Sequence, residues 1–165
     1  MSAFQISAAG VERVAELEPL WAAMHVHHGE IAEHMAPTRD VADSWQRRRK
    51  QYEQWLAEDC AWLLIAEREG TAIGYAVVRV EEGPPTWAVG ELVAELESLA
   101  VLPAARNGGV GAALVAAARE IATAAGAPRM AVGVAHTNAD ALRFYAREGF
   151  APFYVLLLDR PDGAG

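Results

Sequence analysis

Cysteine is almost missing from this chain: Cys60 is the only one in 165 residues. No intrachain disulfide can form, and neither a disulfide scaffold nor a cysteine-built zinc site fits. Cys60 opens an apolar run and reads as a small buried residue. Positive charge is also scarce. Lys and Arg number 14 against 22 Asp and Glu, for a net charge of −8. That argues against a nucleic-acid partner, which calls for a basic face. It suits cationic, amine-bearing substrates, although acidity also serves solubility alone. No apolar stretch is long enough to span a bilayer. The N-terminus has no basic segment followed by an apolar one, so no signal peptide is expected. A cytoplasmic protein is the simplest reading. Internal repeats are absent, and so is any linker that would separate two domains.

What remains is 53% hydrophobic and 22% charged, enough to build a core. The length suits one domain spanning 1–165. Phe4–Ser7 alternates as a short strand, and Gly10 breaks it. Residues 11–28 read as a helix, with Val14, Leu17, Trp21 and Met24 or His25 on one face. Pro19 kinks this helix or marks a boundary. His25 and His28 are three apart, a spacing a metal site would accept. No paired acid at ligand spacing accompanies them or His27 and His34, so solvated or substrate-side histidines are the preferred reading and no metal is expected. Residues 38–58 read as a second helix capped by Thr38 or Asp40. Its run Arg47-Arg48-Arg49-Lys50 reads as a solvated face. Residues 61–67 and 71–80 read as a hairpin, with Gly74 signalling a bulge or a close approach. After the loop Glu82-Gly83-Pro84-Pro85, a strand runs within 87–101. Later come a strand at 129–134, a helix at 139–148 capped by Thr137 or Asn138 and stopped by Gly149, and a last strand or hairpin at 150–158 broken by Pro152. The order β, α, α, β, β, β, α, β, α, β points to a mixed α/β (α+β) sheet with helices on both faces.

The most informative stretch is Leu96–Glu120. An apolar strand ends at Val101-Leu102, and Pro103 stops it. Gly108, Gly109 and Gly111 follow, and then an alanine-rich helix. The first turn of a helix leaves N–H groups unpaired at its positive end. Glycines let backbone approach an anion, and Arg106 adds a charged fork of donors. The stretch reads either as a phosphate or pyrophosphate site or as a plain strand-to-helix turn. Two nucleotide motifs are excluded. There is no Gly-x-x-x-x-Gly-Lys-Ser/Thr. Counted from Gly109, the third glycine of a dinucleotide fingerprint falls on Leu114, and Arg129 stands where the ribose-binding acid belongs.

Arg106-x-x-Gly109-Val110-Gly111, with Pro103 upstream and Leu114 downstream, resembles the acetyl-CoA-binding motif of the GCN5-related N-acetyltransferase (GNAT) superfamily. A second stretch, Asn138-Ala-Asp-Ala-Leu-Arg-Phe-Tyr145-Ala-Arg-Glu-Gly149-Phe150, is similar to another segment of that family. By itself it is a capped amphipathic helix whose tyrosine reads as a core or interface aromatic. The resemblance covers essentially the whole chain and is weakest over the first sixty residues. It implies a central, mostly antiparallel mixed sheet flanked by helices. The acceptor side would lie at about 11–58 and the acetyl-CoA-binding core at about 61–158. It implies an N-acetyltransferase acting on a primary amine of a small molecule or peptide, with acetyl-CoA as acyl donor and no metal. It places Leu99, Ala100, Val101, Arg106, Asn107, Gly108, Gly109, Val110, Gly111, Asn138 and Tyr145 at the cofactor, and it is consistent with a homodimer. The rival reading is a non-catalytic acyl-CoA-binding or sensing module on the same fold.

Acyl transfer sets the chemical requirements. A protonated amine must lose a proton before it attacks, the oxyanion formed at the thioester carbonyl needs a donor, and the leaving thiolate needs a proton. By resemblance, Tyr145 supplies that proton and the N–H near Leu99 polarises the carbonyl. Glu95 and Glu97 are candidate bases, Glu97 first and Glu95 second. In a regular strand they share a face, unless a bulge upsets the alternation. They would otherwise be edge or solvent carboxylates. Trp21, Trp45, Tyr52, Trp87 and Tyr154 line an acceptor pocket or belong to the core.

Overall fold

A computed structural model of the protein describes residues 3–32 and 36–159. Strand β1 (Gln5–Ala9) leads into a 3₁₀ segment (Val11–Leu17) and then helix α1 (Glu18–Ala32). Pro19 sits in the first turn of α1, where its missing N–H leaves no helical bond unmade, so it marks a boundary. Helix α2 (Val41–Ala57) is capped by Asp40, whose carboxylate accepts from the N–H of Ala42 at 2.9 Å and of Asp43 at 3.2 Å. Thr38 lies outside that cap.

Strands β2 (Ala61–Arg68) and β3 (Thr71–Glu82) form the expected hairpin. Glu69 and Gly70 close it with φ of 52° and 75°, the positive pair that a two-residue turn between twisted strands requires. Strand β4 (Leu92–Val101) follows the 83–91 loop. Helix α3 (Val110–Ala124), strand β5 (Met130–Ala131) and helix α4 (Ala139–Arg147) complete the described elements. The sheet runs β1-β2-β3-β4-β5, antiparallel through β4 and parallel between β4 and β5.

The two faces of the sheet bury separate apolar clusters. One holds Leu64, Ala76, Val78, Ala94 and Leu96 against Val110, Leu114, Val115 and Ala118 of α3. The other holds Leu63, Ile65, Tyr75 and Val77 against Val14, Leu17, Trp21, Trp45 and Tyr52. Helices therefore cover both faces. At Gly74 α3 packs directly on the sheet. A Cβ there would stand 2.9 Å from the Ala100 carbonyl oxygen, 3.2 Å from Val110 Cγ1 and 3.3 Å from Leu114 Cδ1. The pairing of β2 with β3 also shifts register beside it, so both readings of this glycine hold. Gly74→Ala should destabilise the protein by about 1–3 kcal/mol through overpacking, read as a lower midpoint in urea at unchanged slope.

Three expectations need correction. β5 is laddered only at Met130 and Ala131, not over 129–134. Residues 151–159 form no strand or hairpin: Pro152 offers no N–H, and this stretch lies on no sheet edge of its own chain. Cys60 is part-exposed, because it ends the turn before β2 with its Sγ 3.6 Å from the Trp55 carbonyl.

Candidate active site

Strand β4 carries the site because its alternation breaks once. Val78 pairs with Leu96 and Val77 with Ser98, so Glu97 is an extra residue and forms a bulge. Before it, Ala94 and Leu96 face α3; after it, Ser98 and Ala100 face the opposite cluster, and Leu99 and Val101 turn toward α3. A chain of hydroxyls pins the bulge. The Tyr52 hydroxyl donates to Ser98 Oγ at 2.5 Å, Ser98 Oγ donates to the Glu97 carbonyl at 2.8 Å, and the Tyr75 hydroxyl lies 3.2 Å from that of Tyr52. Burial raises the pKa of both tyrosines, which keeps them protonated as donors.

β4 and β5 pair only at Ala94 and Glu95 and then part. The Leu102 N–H bonds the Ile73 carbonyl at 2.9 Å, on the β3 side. Strand alternation then turns the N–H groups of Leu99 and Val101 away from β3, into the gap left beside β4. Arg106 reaches the same edge, its Nε donating to the Val101 carbonyl at 3.2 Å.

The glycine turn closes the end of this gap. After a 3₁₀ turn at Pro103–Ala105, Asn107 and Gly109 take φ of 61° and 81°. Gly109 is the N-cap of α3, with nothing within 4 Å of the position a Cβ would take. The N–H groups of Val110, Gly111 and Ala112 precede the first helical bond, from Ala113 N–H to the Gly109 carbonyl at 3.0 Å. Gly111 also serves helix packing, since its Cβ would stand 3.3 Å from Phe144 Cζ. Its bareness lets α4 pack on the turn, and so joins the two motifs in space.

α4 is capped at both ends. Asn138 Oδ1 accepts from the Ala141 N–H at 3.1 Å. Gly149, at φ 85°, ends the helix with Phe150 N–H on the Tyr145 carbonyl at 2.9 Å. Arg119 of α3 donates to the Glu148 carbonyl and lies 4.8 Å over the Phe150 ring, tying the two helices together. Tyr145 packs edge-on to Phe144 and Phe150, with ring centroids 5.0 and 5.4 Å away. Burial pushes its phenol up to about 12.

Glu95 and Glu97 differ in their surroundings. Arg79, across from Glu95 in register, bonds Glu97 through Nε at 2.8 Å, pairs with Glu81 at 2.7 Å, and stacks 5.1 Å over Trp55. Burial holds the Glu95 carboxyl above the usual carboxylate range; Glu97 and Glu81 push the same way, while Arg79 and the Gly133 N–H pull it back. Arg79, Ser98 and Arg119 carry no local motif, so sequence reading missed them.

Of the aromatic candidates for an acceptor pocket, Trp21, Trp45 and Tyr52 are core, and Trp87 and Tyr154 are exposed. In the basic run, Arg47 and Arg49 pair with Asp43 and Glu53 one turn away, and Arg48 stacks over Trp21 and Tyr52. Among the described residues no three His, Cys, Asp or Glu side chains gather as a metal site would need; His34 lies outside those residues. No helix among them is long and apolar enough to cross a membrane.

The sequence model described as the acetyltransferase (GNAT) family matches residues 21–150. The mycothiol acetyltransferase of Amycolatopsis mediterranei (strain U-32) is 35% identical over 96 residues, which are 58% of this chain and 31% of that protein. The chain thus matches less than a third of that relative's length. Among solved structures, aminoglycoside N-acetyltransferase AAC(6′)-Iy in complex with CoA superposes with a TM-score of 0.74 at 21% identity, over 97% of this chain and 95% of its own. A GCN5-related N-acetyltransferase from Ralstonia eutropha JMP134 does so with a TM-score of 0.77 at 19% identity, over 96% and 99%. At these identities the superpositions speak for the fold.

Proposed function

The chain belongs to the acetyltransferase (GNAT) family, and from that premise we propose that it moves an acetyl group from acetyl-CoA to a primary amine of a small molecule or peptide. The observation that carries this reading is the parting of β4 from β5 beside the Glu97 bulge, which turns the Leu99 N–H into a gap that ends at an αL glycine. Acetyl-CoA supplies the activated acyl thioester. The residues fit it: open backbone at Gly109 and the leading N–H groups of α3 suit a pyrophosphate. In this reading Arg106 flanks the pyrophosphate, Leu99, Ala100 and Val101 line the pantetheine arm along β4, and Asn138 stands beside it at the start of α4.

We assign the base to Glu95 ahead of Glu97, reversing the order suggested by sequence. Glu97 is committed to Arg79, whereas Glu95 is half-buried and holds its proton more tightly than an ordinary carboxylate. A carboxylate of that kind is a stronger base than an ordinary one and can take a proton from an ammonium group through water. The Leu99 N–H donates to the acyl oxygen as charge develops there. Tyr145, whose phenol stays protonated, gives its proton to the departing sulfur.

A thiol-release assay against a panel of small amines and N-terminal peptides tests this. Release of CoA that requires an amine, with acetylated amine formed in equal amount, is the expected result. Acetyl-CoA binding without turnover on any member of the panel would favour the sensing-module reading.

A further inference from the structure

Arg48 is part-buried, with its guanidinium 5.1 Å over the ring of Trp21, 5.7 Å over Tyr52 and 6.0 Å over Trp55. Three aromatic rings fix its position, yet among the described residues its N–H fork meets no acceptor and no carboxylate. Arg79 makes the contrast. It stacks on the same Trp55, and its donors are taken by Glu97 and Glu81. An arginine held in place with its donors open is prepared for an oxyanion, which two parallel N–H groups grip at once.

The surroundings repeat that sign. Arg48 lines a groove of about 450 Å³ where α2 meets α1, together with Arg39, Arg47 and Lys50. Trp21 forms an apolar wall, and the rest of the lining is a serine and glutamines, with no carboxylate. Asp43 offsets part of the charge, at 3.7 Å from Arg39 and 3.0 Å from Arg47. Lys50 has no acidic partner among the described residues. Trp21 is 7% exposed, and its buried Nε1 donor is also without an acceptor. Burial, followed by the charges of His27, His25 and Arg48, holds the pKa of His28 below the usual histidine range, so the local field is positive. A plain solvated face would pair its charges along the helix. Here Arg47 and Lys50, three apart, set like charges on one face, and a concave surface of one sign beside an apolar wall focuses its field.

We infer that this groove binds a small polyanion, a molecule with two or more phosphate or carboxylate groups, one held by Arg48 and another by Arg47 and Lys50. The site is separate from the glycine turn, because α3 packs on one face of the sheet and α1 and α2 on the other. Its occupant would sit one residue from the candidate active site, since Tyr52, under Arg48, holds Ser98 at the β4 bulge. The inference is independent of the reaction proposed above.

Lys50 is the only lysine in the chain, so its acylation by an N-hydroxysuccinimide ester, read by mass spectrometry at that residue, reports on the groove alone. This rate is followed in the full chain while pyrophosphate or citrate is added, with and without excess acetyl-CoA, beside calorimetric titration of the same two anions. At low salt one or both should bind with a Kd of about 100 μM or tighter and slow Lys50 acylation at least about fivefold at saturation, whether or not acetyl-CoA is present. The tighter of the two names the group. Arg48→Gln and Lys50→Gln should each weaken binding about tenfold or more. Asp43→Asn, which releases Arg39 and Arg47, should tighten it, a gain that misfolding does not produce. Three results would overturn the inference: neither anion binds or shields Lys50, the affinity is indifferent to all three substitutions, or acetyl-CoA abolishes the binding and so places the anion on the glycine turn.

Discussion

Tyr145→Phe should lower kcat by about a hundredfold or more and leave the affinity for acetyl-CoA within about twofold. The phenyl ring keeps its edge-on contacts with Phe144 and Phe150, so α4 stays in place. Only the hydroxyl goes, and in the proposed reaction it meets the sulfur as the thiolate departs. Because burial pushes this phenol up to about 12, its deprotonation should not depress the wild-type rate anywhere between neutral pH and the mildly alkaline range. Steady-state kinetics at saturating amine, with a separate binding measurement, checks both halves. An unchanged kcat at unchanged affinity would remove the acid role and revive the sensing module.

Glu95→Gln carries the second large effect, and it has two signs. Loss of the base should cost about a hundredfold in kcat/KM. The same change should raise Tm at neutral pH. The folded-state pKa of Glu95 lies above the ordinary value, so the native state holds that proton more tightly than the unfolded chain does. Its stabilising contribution is complete below the unfolded pKa and is lost as pH rises through the folded one. Above that range the ionised, half-buried carboxylate is a cost, and glutamine removes it. At pH 4 the gain in Tm should vanish. Glu97→Gln should cost much less activity. It removes a negative neighbour and frees Arg79, so the acid limb of the rate profile should move to lower pH. A Glu97→Gln variant that loses more activity than Glu95→Gln, or a Glu95→Gln variant with lower Tm at neutral pH, would reverse the assignment.

What the sequence made legible was local. Gly109 as a turn, Asn138 as a cap and Gly149 as a stop follow from backbone rules a few residues long, and the structure has them at φ of 81° and 85° and with the capping bond in place. Gly74 was legible too, because a glycine inside a strand has few other reasons to be there. Relations across the sheet were hidden. The bulge that separates the settings of Glu95 and Glu97 depends on which residue of β3 faces which of β4. The Arg79–Glu97 pair joins residues 18 apart, and Arg119 reaches Glu148 across 29. Gly111, taken with its neighbours as room for an anion, also makes room for Phe144. The strand or hairpin expected at 150–158 does not form: the composition there is strand-like, but pairing is a property of two edges, and sequence names only one of them.

The measurement that bears most directly on the site is a calorimetric titration of acetyl-CoA into the wild type, Arg106→Ala and Gly109→Ala. Gly109 sits at φ 81°, where a side chain costs roughly 1–2 kcal/mol and re-aims the N–H groups that lead α3. Arg106 offers a charged donor, worth about 1.5–3 kcal/mol when it meets an anion. Micromolar binding by the wild type, weakened about tenfold or more in each variant, is the predicted result. A wild type that does not bind, or variants that bind as tightly as it does, would contradict the placement of the cofactor on this turn.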